Sequence, residues 1–310
     1  MKIVSCPVCN EHSDAAHINI FNTRSSDQKI FTIKKCPRCN TLYTFFSEDL
    51  DIAQYYDDGD YKIIDTGETI FFKIQKFEYT NVIKKIKKIY PAKNYSLLDF
   101  GCGKGIFLLL AKKQHWEIAG VETSANRSTY ASKMLDIEVN TAFYTEGSIF
   151  NKKFDILTLF HVLEHVTDSR LLLKNLVQDN LKENGLLVLE VPNIKSWQFQ
   201  WSKERWLHLD VPRHLAHFDA DTIKPLLEDA GCQIIGQDFF SFHLGIIGMI
   251  QTIMSWFGYS HFLLAELKHK RTIPLLATVT ILFPFALVLE LLAAAFKKGA
   301  IIRYYALKKG

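Results

Sequence analysis

The stretch Leu97 to Phe107, LLDFGCGKGIF, decides how the whole chain is read. Glycines at alternate positions (Gly101, Gly103, Gly105) behind Asp99 form a ligand loop, and their spacing excludes two phosphate-binding designs. A P-loop, G-x-x-x-x-G-K-[ST], would need glycine where Leu98 stands and serine or threonine where Gly105 stands. The dinucleotide fingerprint G-x-G-x-x-G would need glycine in place of Ile106. The ligand is one that wants bare backbone but does not present a phosphate there.

Working outward, the apolar run before the glycines and the apolar-periodic run after them predict a strand, a turn and a helix from about Ile106. That places the loop at the carboxyl end of a parallel strand, where open α/β sheets bind ligands. The next strand-like run, EIAGVE, ends in Glu122, 17 residues after Gly105. A carboxylate there can accept hydrogen bonds from both hydroxyls of a ribose. A sugar diol with an unphosphorylated body points to S-adenosylmethionine, with backbone amides closing on it and Asp99 bracing the loop or reaching the amino group. Further strand candidates are SLLDFG, IEVN, FDILTLF, GLLVLEVP, CQIIGQDFF and the closing AIIRYYALKK. They alternate with helical runs, the pattern of a parallel sheet covered by helices.

These residues resemble the class I S-adenosylmethionine-dependent methyltransferases. LDFGCGKG, GVETS, FDILTLFHVLEHV, LLKNL…LKENGLLVLEVPN and PRHLAHFDADTIKPLLEDAGC occur in that family's order. The resemblance implies an α/β fold: a Rossmann-like seven-stranded sheet with helices on both faces. It implies cofactor contacts from Asp99, Gly101, Cys102, Gly103, Gly105 and Glu122, with Phe160 and His161 flanking the methionyl part. Phe143 stands where many relatives carry an acidic residue for adenine. A dinucleotide-binding dehydrogenase of similar fold would need the missing third glycine.

A methyl group on a sulfonium already has a good leaving group, so the protein must chiefly align a nucleophile and exclude water. A base is needed only for a hydroxyl or an acidic carbon. His161 and His214 are the catalytic candidates, on loops expected after strands four and five; Glu164, His165 and His217 are nearby. His161 and His165 would share a face if a helix began there. HVLEH also spells the inverted zinc-protease motif H-x-x-E-H, but the same residues already fit the methyltransferase pattern.

Two C-x-x-C knuckles, Cys6/Cys9 and Cys36/Cys39, are separated by 26 residues. That spacing predicts a structural zinc ribbon with four thiolate ligands and no open position. The resemblance extends to bacterial proteins with such a ribbon and a tyrosine-rich linker over the cofactor site, making Tyr55, Tyr56 and Tyr61 lid candidates. Cys102 and Cys232 lie outside the ribbon set.

The expected division is a ribbon at 1–47, a helical linker or lid at 48–90, a catalytic core at 91–242 and 299–310, and an apolar helical insert at 243–298. Within the insert, residues 273–296 carry one charge, Glu290, between basic flanks. The run is long enough to cross a bilayer. Return of the chain to one sheet forbids a lone crossing, and Pro274 and Pro284 interrupt the run. Helices lying in the membrane interface or dipping into one leaflet are the expectation, with a buried subdomain or dimer interface, or a true span, as the alternatives. The mild net charge of +4 does not suggest a nucleic-acid binder. On the ribbon, Lys29, Lys34, Lys35 and Arg38 are offset by Glu11, Asp14 and Asp27. The start of the chain shows no secretory pattern. The reading is a cytoplasmic protein, peripheral on the membrane's cytoplasmic face, acting on a small-molecule, sugar or lipid-linked acceptor. An RNA methyltransferase and a non-catalytic membrane-attached module are the alternatives.

Overall fold

The computed structural model of the protein describes residues 2–12, 16–25, 27–56, 70–270 and 272–310. Three antiparallel strands come first: β1 (Ile18–Arg24), β2 (Ile30–Lys35) and β3 (Leu42–Phe45). Both cysteine pairs sit in the same kind of turn. The Asn10 amide donates to the Cys6 carbonyl at 2.9 Å, and that of Asn40 to Cys36 at 3.0 Å. Asn10 and Asn40 hold positive φ angles of 58° and 61°, a region asparagine enters more readily than most residues.

After a 3-10 turn at Ile52–Tyr56 comes α1 (Ile70–Ile89), which buries Val82, Ile83 and Ile86 and leaves Lys84, Lys87 and Lys88 exposed. Then follow β4 (Ser96–Phe100), α2 (Ile106–Lys112), β5 (Glu117–Val121), α3 (Ala125–Leu135), β6 (Val139–Asn140), β7 (Phe154–Phe160), α4 (Ser169–Asn180) and β8 (Leu181–Pro192). The rest of the chain forms α5 (Trp197–Ser202), β9 (Ala216–His217), α6 (Ala220–Asp229), β10 (Cys232–Asp238), α7 (Leu244–Trp256), α8 (Leu263–His269), α9 (Ile273–Ala295) and β11 (Ile301–Lys308).

The order β10-β11-β8-β7-β4-β5-β6 makes one seven-stranded Rossmann-like sheet. Its strands from β8 to β6 are parallel, while β11 runs antiparallel between β8 and β10. All five residues of β4 are buried, which is why SLLDF shows no apolar–polar alternation. The strand order changes direction at β4, so the glycine loop leaves the sheet at the crevice where such folds bind ligands.

Two local features differ from the sequence expectation. No helix begins at His161: that residue holds φ +55°, ahead of a 3-10 turn at Leu163–His165. His161 and His165 therefore do not share a helical face. The prolines do not break the apolar run either. Pro274 lies in the first turn of α9, where a missing N–H costs nothing, and the helix continues through Pro284 to Ala295.

The ribbon is built into the molecule. β3 pairs with β9 to give a four-stranded sheet β1-β2-β3-β9. The Ser169 amide donates to the Pro7 carbonyl at 2.9 Å, and Asn10 Nδ2 donates to Asp168, the N-cap of α4, at 2.7 Å. One apolar core runs from Val8, Phe31 and Ile33 through Leu98, Leu157 and Leu187. In the insert, α7 is largely buried and packs against α9. α9 turns Leu275, Ala286, Glu290 and Ala293 inward and leaves Ile273, Ile281, Phe285, Val288 and Leu291 exposed.

Candidate functional site

Each loop glycine has its own reason for being glycine. All three hold positive φ, between 56° and 77°. A Cβ at Gly101 would lie 2.4 Å from Val162 Cγ2, and one at Gly105 would lie 2.8 Å from Leu135 Cδ1. At Gly103 a Cβ would meet nothing within 4 Å. Gly101 and Gly105 thus let elements pack, whereas Gly103 borders the open space in which a ligand fits. The Gly103 amide donates to Glu122 Oε2 at 3.0 Å, and the Ser124 amide to Glu122 Oε1 at 2.8 Å. The carboxylate that would take the ribose is thereby fixed against the loop.

Behind them, Asp99 is buried and accepts from Thr158 Oγ1 at 2.6 Å. Burial raises its carboxyl to about 7; the Thr158 bond opposes the rise and the Glu122 charge adds to it. Cys102 is buried too, its amide on the Val121 carbonyl at 2.9 Å. Phe160 packs with Phe107 and Tyr79, and Phe143 stands in the loop after β6, 88% exposed. The open space at Gly103 beside the fixed carboxylate fits S-adenosylmethionine.

The turn after β7 sits over a chain of buried charges. His161 Nε2 is 2.9 Å from Glu190 Oε1, and its Nδ1 is 3.3 Å from Glu164 Oε1. Glu190 pairs with Arg303, Arg303 donates to Glu78 at 2.7 Å, and Glu78 pairs with His243. Burial alone would push the His161 imidazole down, but the carboxylates of Glu164 and Glu190 outweigh it and raise it to about 10. An imidazolium held on both nitrogens has no lone pair to accept a proton. His214 is the opposite case: burial, then the neighbouring His165, holds its ring well below the ordinary value, so it stays neutral. Its Nδ1 lies 2.9 Å from the His208 carbonyl, which it meets as a donor, so its Nε2 keeps a lone pair.

Tyr56 reaches this region, its hydroxyl 3.0 Å from His165 Nδ1. Tyr55 instead donates to Asp27 of the ribbon at 2.7 Å, and Tyr61 lies outside the described residues. Sequence reasoning missed Glu78, Glu190, Arg303 and His243. The available signal was a single charge inside an otherwise apolar strand, Glu190 in LLVLEVP and Arg303 in IIRYY. Such a charge is buried only if paired.

The structure brings Cys6, Cys9, Cys36 and Cys39 together, with Sγ atoms 3.5 Å apart for both Cys6–Cys39 and Cys9–Cys36. Four thiolates at the usual zinc–sulfur length stand about 3.8 Å apart. The residues fit a closed zinc site.

Residues 74–237 match a family model described as a methyltransferase domain. The ubiquinone biosynthesis O-methyltransferase of Rickettsia typhi is 26% identical over 129 residues, 40% of this chain and 52% of that protein. The protein of the same name from Pelagibacter ubique is 27% identical over 128 residues, 38% of this chain and 53% of its own length. The chain thus spans about half the length of the curated relatives it matches. Among solved structures, a Galdieria sulphuraria protein assigned as a sarcosine dimethylglycine methyltransferase aligns with TM-score 0.53 at 12% identity, over 82% of this chain and 99% of that one. That likeness speaks to the fold. With the family match over more than half the chain, the seven-stranded sheet and the glycine loop facing Glu122, the chain belongs to the class I S-adenosylmethionine-dependent methyltransferases.

Proposed function

We propose that this protein transfers a methyl group from S-adenosylmethionine to a small amphiphilic acceptor, sugar- or lipid-linked, met at a membrane surface. The observation that carries the acceptor class is the attachment of the apolar insert to the acceptor side of the site. α7 packs on α5, and Gln251 Nε2 donates to the Arg205 carbonyl at 3.0 Å, at the root of the segment carrying His208 and His214. α9 then displays an apolar face rimmed by Lys270, Lys297 and Lys298, suited to anionic head groups. Arg271 of that rim lies outside the described residues.

S-adenosylmethionine supplies the electrophilic methyl when bound. Asp99, Gly101, Gly103 and Glu122 would hold it, and the turn at His161 would wall its methionyl end. The four cysteines would hold zinc that keeps the ribbon folded. The ribbon's charges favour this reading over an RNA substrate: Arg38 pairs with Glu11, and Lys29 with Asp27. Calorimetry tests the cofactor assignment. Binding of S-adenosylmethionine or its demethylated product is expected in the micromolar range or tighter, and Glu122→Ala should weaken it by about 1.5–3 kcal/mol. Binding of NAD but of neither adenosyl ligand would overturn the proposal.

A further inference from the structure

We propose that Glu164, His165 and His214 form a second metal site, distinct from the cysteine cluster, that takes a first-row divalent transition metal. One donor atom from each of the three lies within 4.8 Å of the other two. The Nδ1 of His214 faces the His208 carbonyl at 2.9 Å, and the Nδ1 of His165 faces the Arg213 carbonyl at 3.0 Å. A ring that donates through Nδ1 to a backbone carbonyl is fixed in the tautomer that offers Nε2, which is how proteins commonly orient histidine ligands. Glu164 is 1% exposed, and its Oε2 has no hydrogen-bond partner among the described residues. A buried carboxylate oxygen without a donor is costly, and a cation between the two rings would satisfy it.

The scaffold is set before any metal arrives. The Leu215 amide donates to the Glu164 carbonyl at 2.7 Å, tying the segment of His214 to the turn of Glu164 and His165. His161 contacts Oε1 of Glu164, which also stands 3.9 Å from His214 Nε2. Arg213 holds Oδ1 of Asp210 at 2.7 Å, and Oδ2 of Asp210, 3.7 Å from His214 Nε2, is a further oxygen near the same nitrogen. Two imidazoles and one carboxylate suit zinc, manganese, iron or cobalt rather than calcium or magnesium, and leave coordination positions open. If the methyl-transfer reading holds, on which this role rests, an acceptor hydroxyl would take an open position. It would lose its proton to water more readily there.

The test is titration of the full-length, zinc-loaded protein with manganese(II), followed by loss of the free-ion electron paramagnetic resonance signal. Cobalt(II) uptake is the second probe. Uptake of one ion per chain is expected, with affinity falling more than tenfold in His165→Ala and in His214→Gln. His165 is partly exposed, so its variant should fold, which circular dichroism checks. Calorimetry with S-adenosylmethionine, run separately, reports whether the cofactor reading stands. Absence of uptake of both ions by the unsubstituted protein would overturn the site, as would uptake unchanged in both variants.

Discussion

A methyl group placed at Gly103 would enter open space, whereas one at Gly101 would strike Val162. Gly103→Ala should therefore leave the fold nearly intact, losing about 1–2 kcal/mol from its positive φ, while weakening cofactor binding markedly. Gly101→Ala should destabilise the protein itself. Thermal melts paired with calorimetry separate the two. Asp99 gives a pH signature. Its folded-state value, raised to about 7, means the native protein keeps a proton that the unfolded chain has lost. Its contribution to stability is full below the ordinary carboxylate range and disappears as pH rises through 7. A cofactor carrying a sulfonium and an ammonium prefers the ionised form. Affinity should climb between pH 5.5 and 7.5, approaching about tenfold per unit well below 7, and Asp99→Asn should flatten the climb. At this scale the glycines, Glu122 and the cysteines were legible because spacing along the chain expresses their chemistry. The pairing of His161 with Glu190 was not, because it joins residues from separate strands and leaves no local pattern.

At the scale of elements, the strands of the sheet could be read from their apolar runs, since a strand covered on both faces is mostly apolar and carries a charge only where it is paired or hydrogen-bonded. β6, only two residues long, shows how little of IEVN forms ladder. The pairing of β3 with β9 was hidden, because two residues that close a neighbouring sheet carry no periodicity. That pairing alters what loss of zinc should do. Cys36→Ser should remove one zinc per chain and unfold the ribbon. It should also speed amide hydrogen exchange at His217, which pairs with Leu42 of β3, and leave the Leu215 amide, bonded to the Glu164 carbonyl, unchanged. Exchange confined to residues before Phe46 would show that the ribbon's docking is incidental.

For the molecule as a whole, composition and topology together indicated an apolar insert that returns to its own sheet, as β10 and β11 do. Composition could not say which of its helices is buried. α7 is largely buried under α9 and α5, with Trp256 at its end exposed, and among the described residues of the insert most of the exposed apolar side chains stand on α9. Flotation with anionic vesicles should retain the protein, less so at high salt. Ile281→Glu with Phe285→Glu should release it while leaving cofactor binding unchanged. Retention of the double variant would mean that lipid does not meet α9.

The antiparallel pairing of β10 with β11, in which Asp238 lies opposite Arg303, has a further consequence. Residues 239–302 form, in topological terms, one long hairpin loop pinched shut at its base by adjacent strands. Lengthening a loop closed at its base costs free energy only as the logarithm of its length. The ladder of β10 with β11 therefore tolerates a change in the loop's contents, provided His243 keeps its contact with Glu78, which holds Arg303. This position can act as a cassette: a module of other surface chemistry could be carried there, redirecting the same catalytic sheet to a different compartment surface without re-registering a strand.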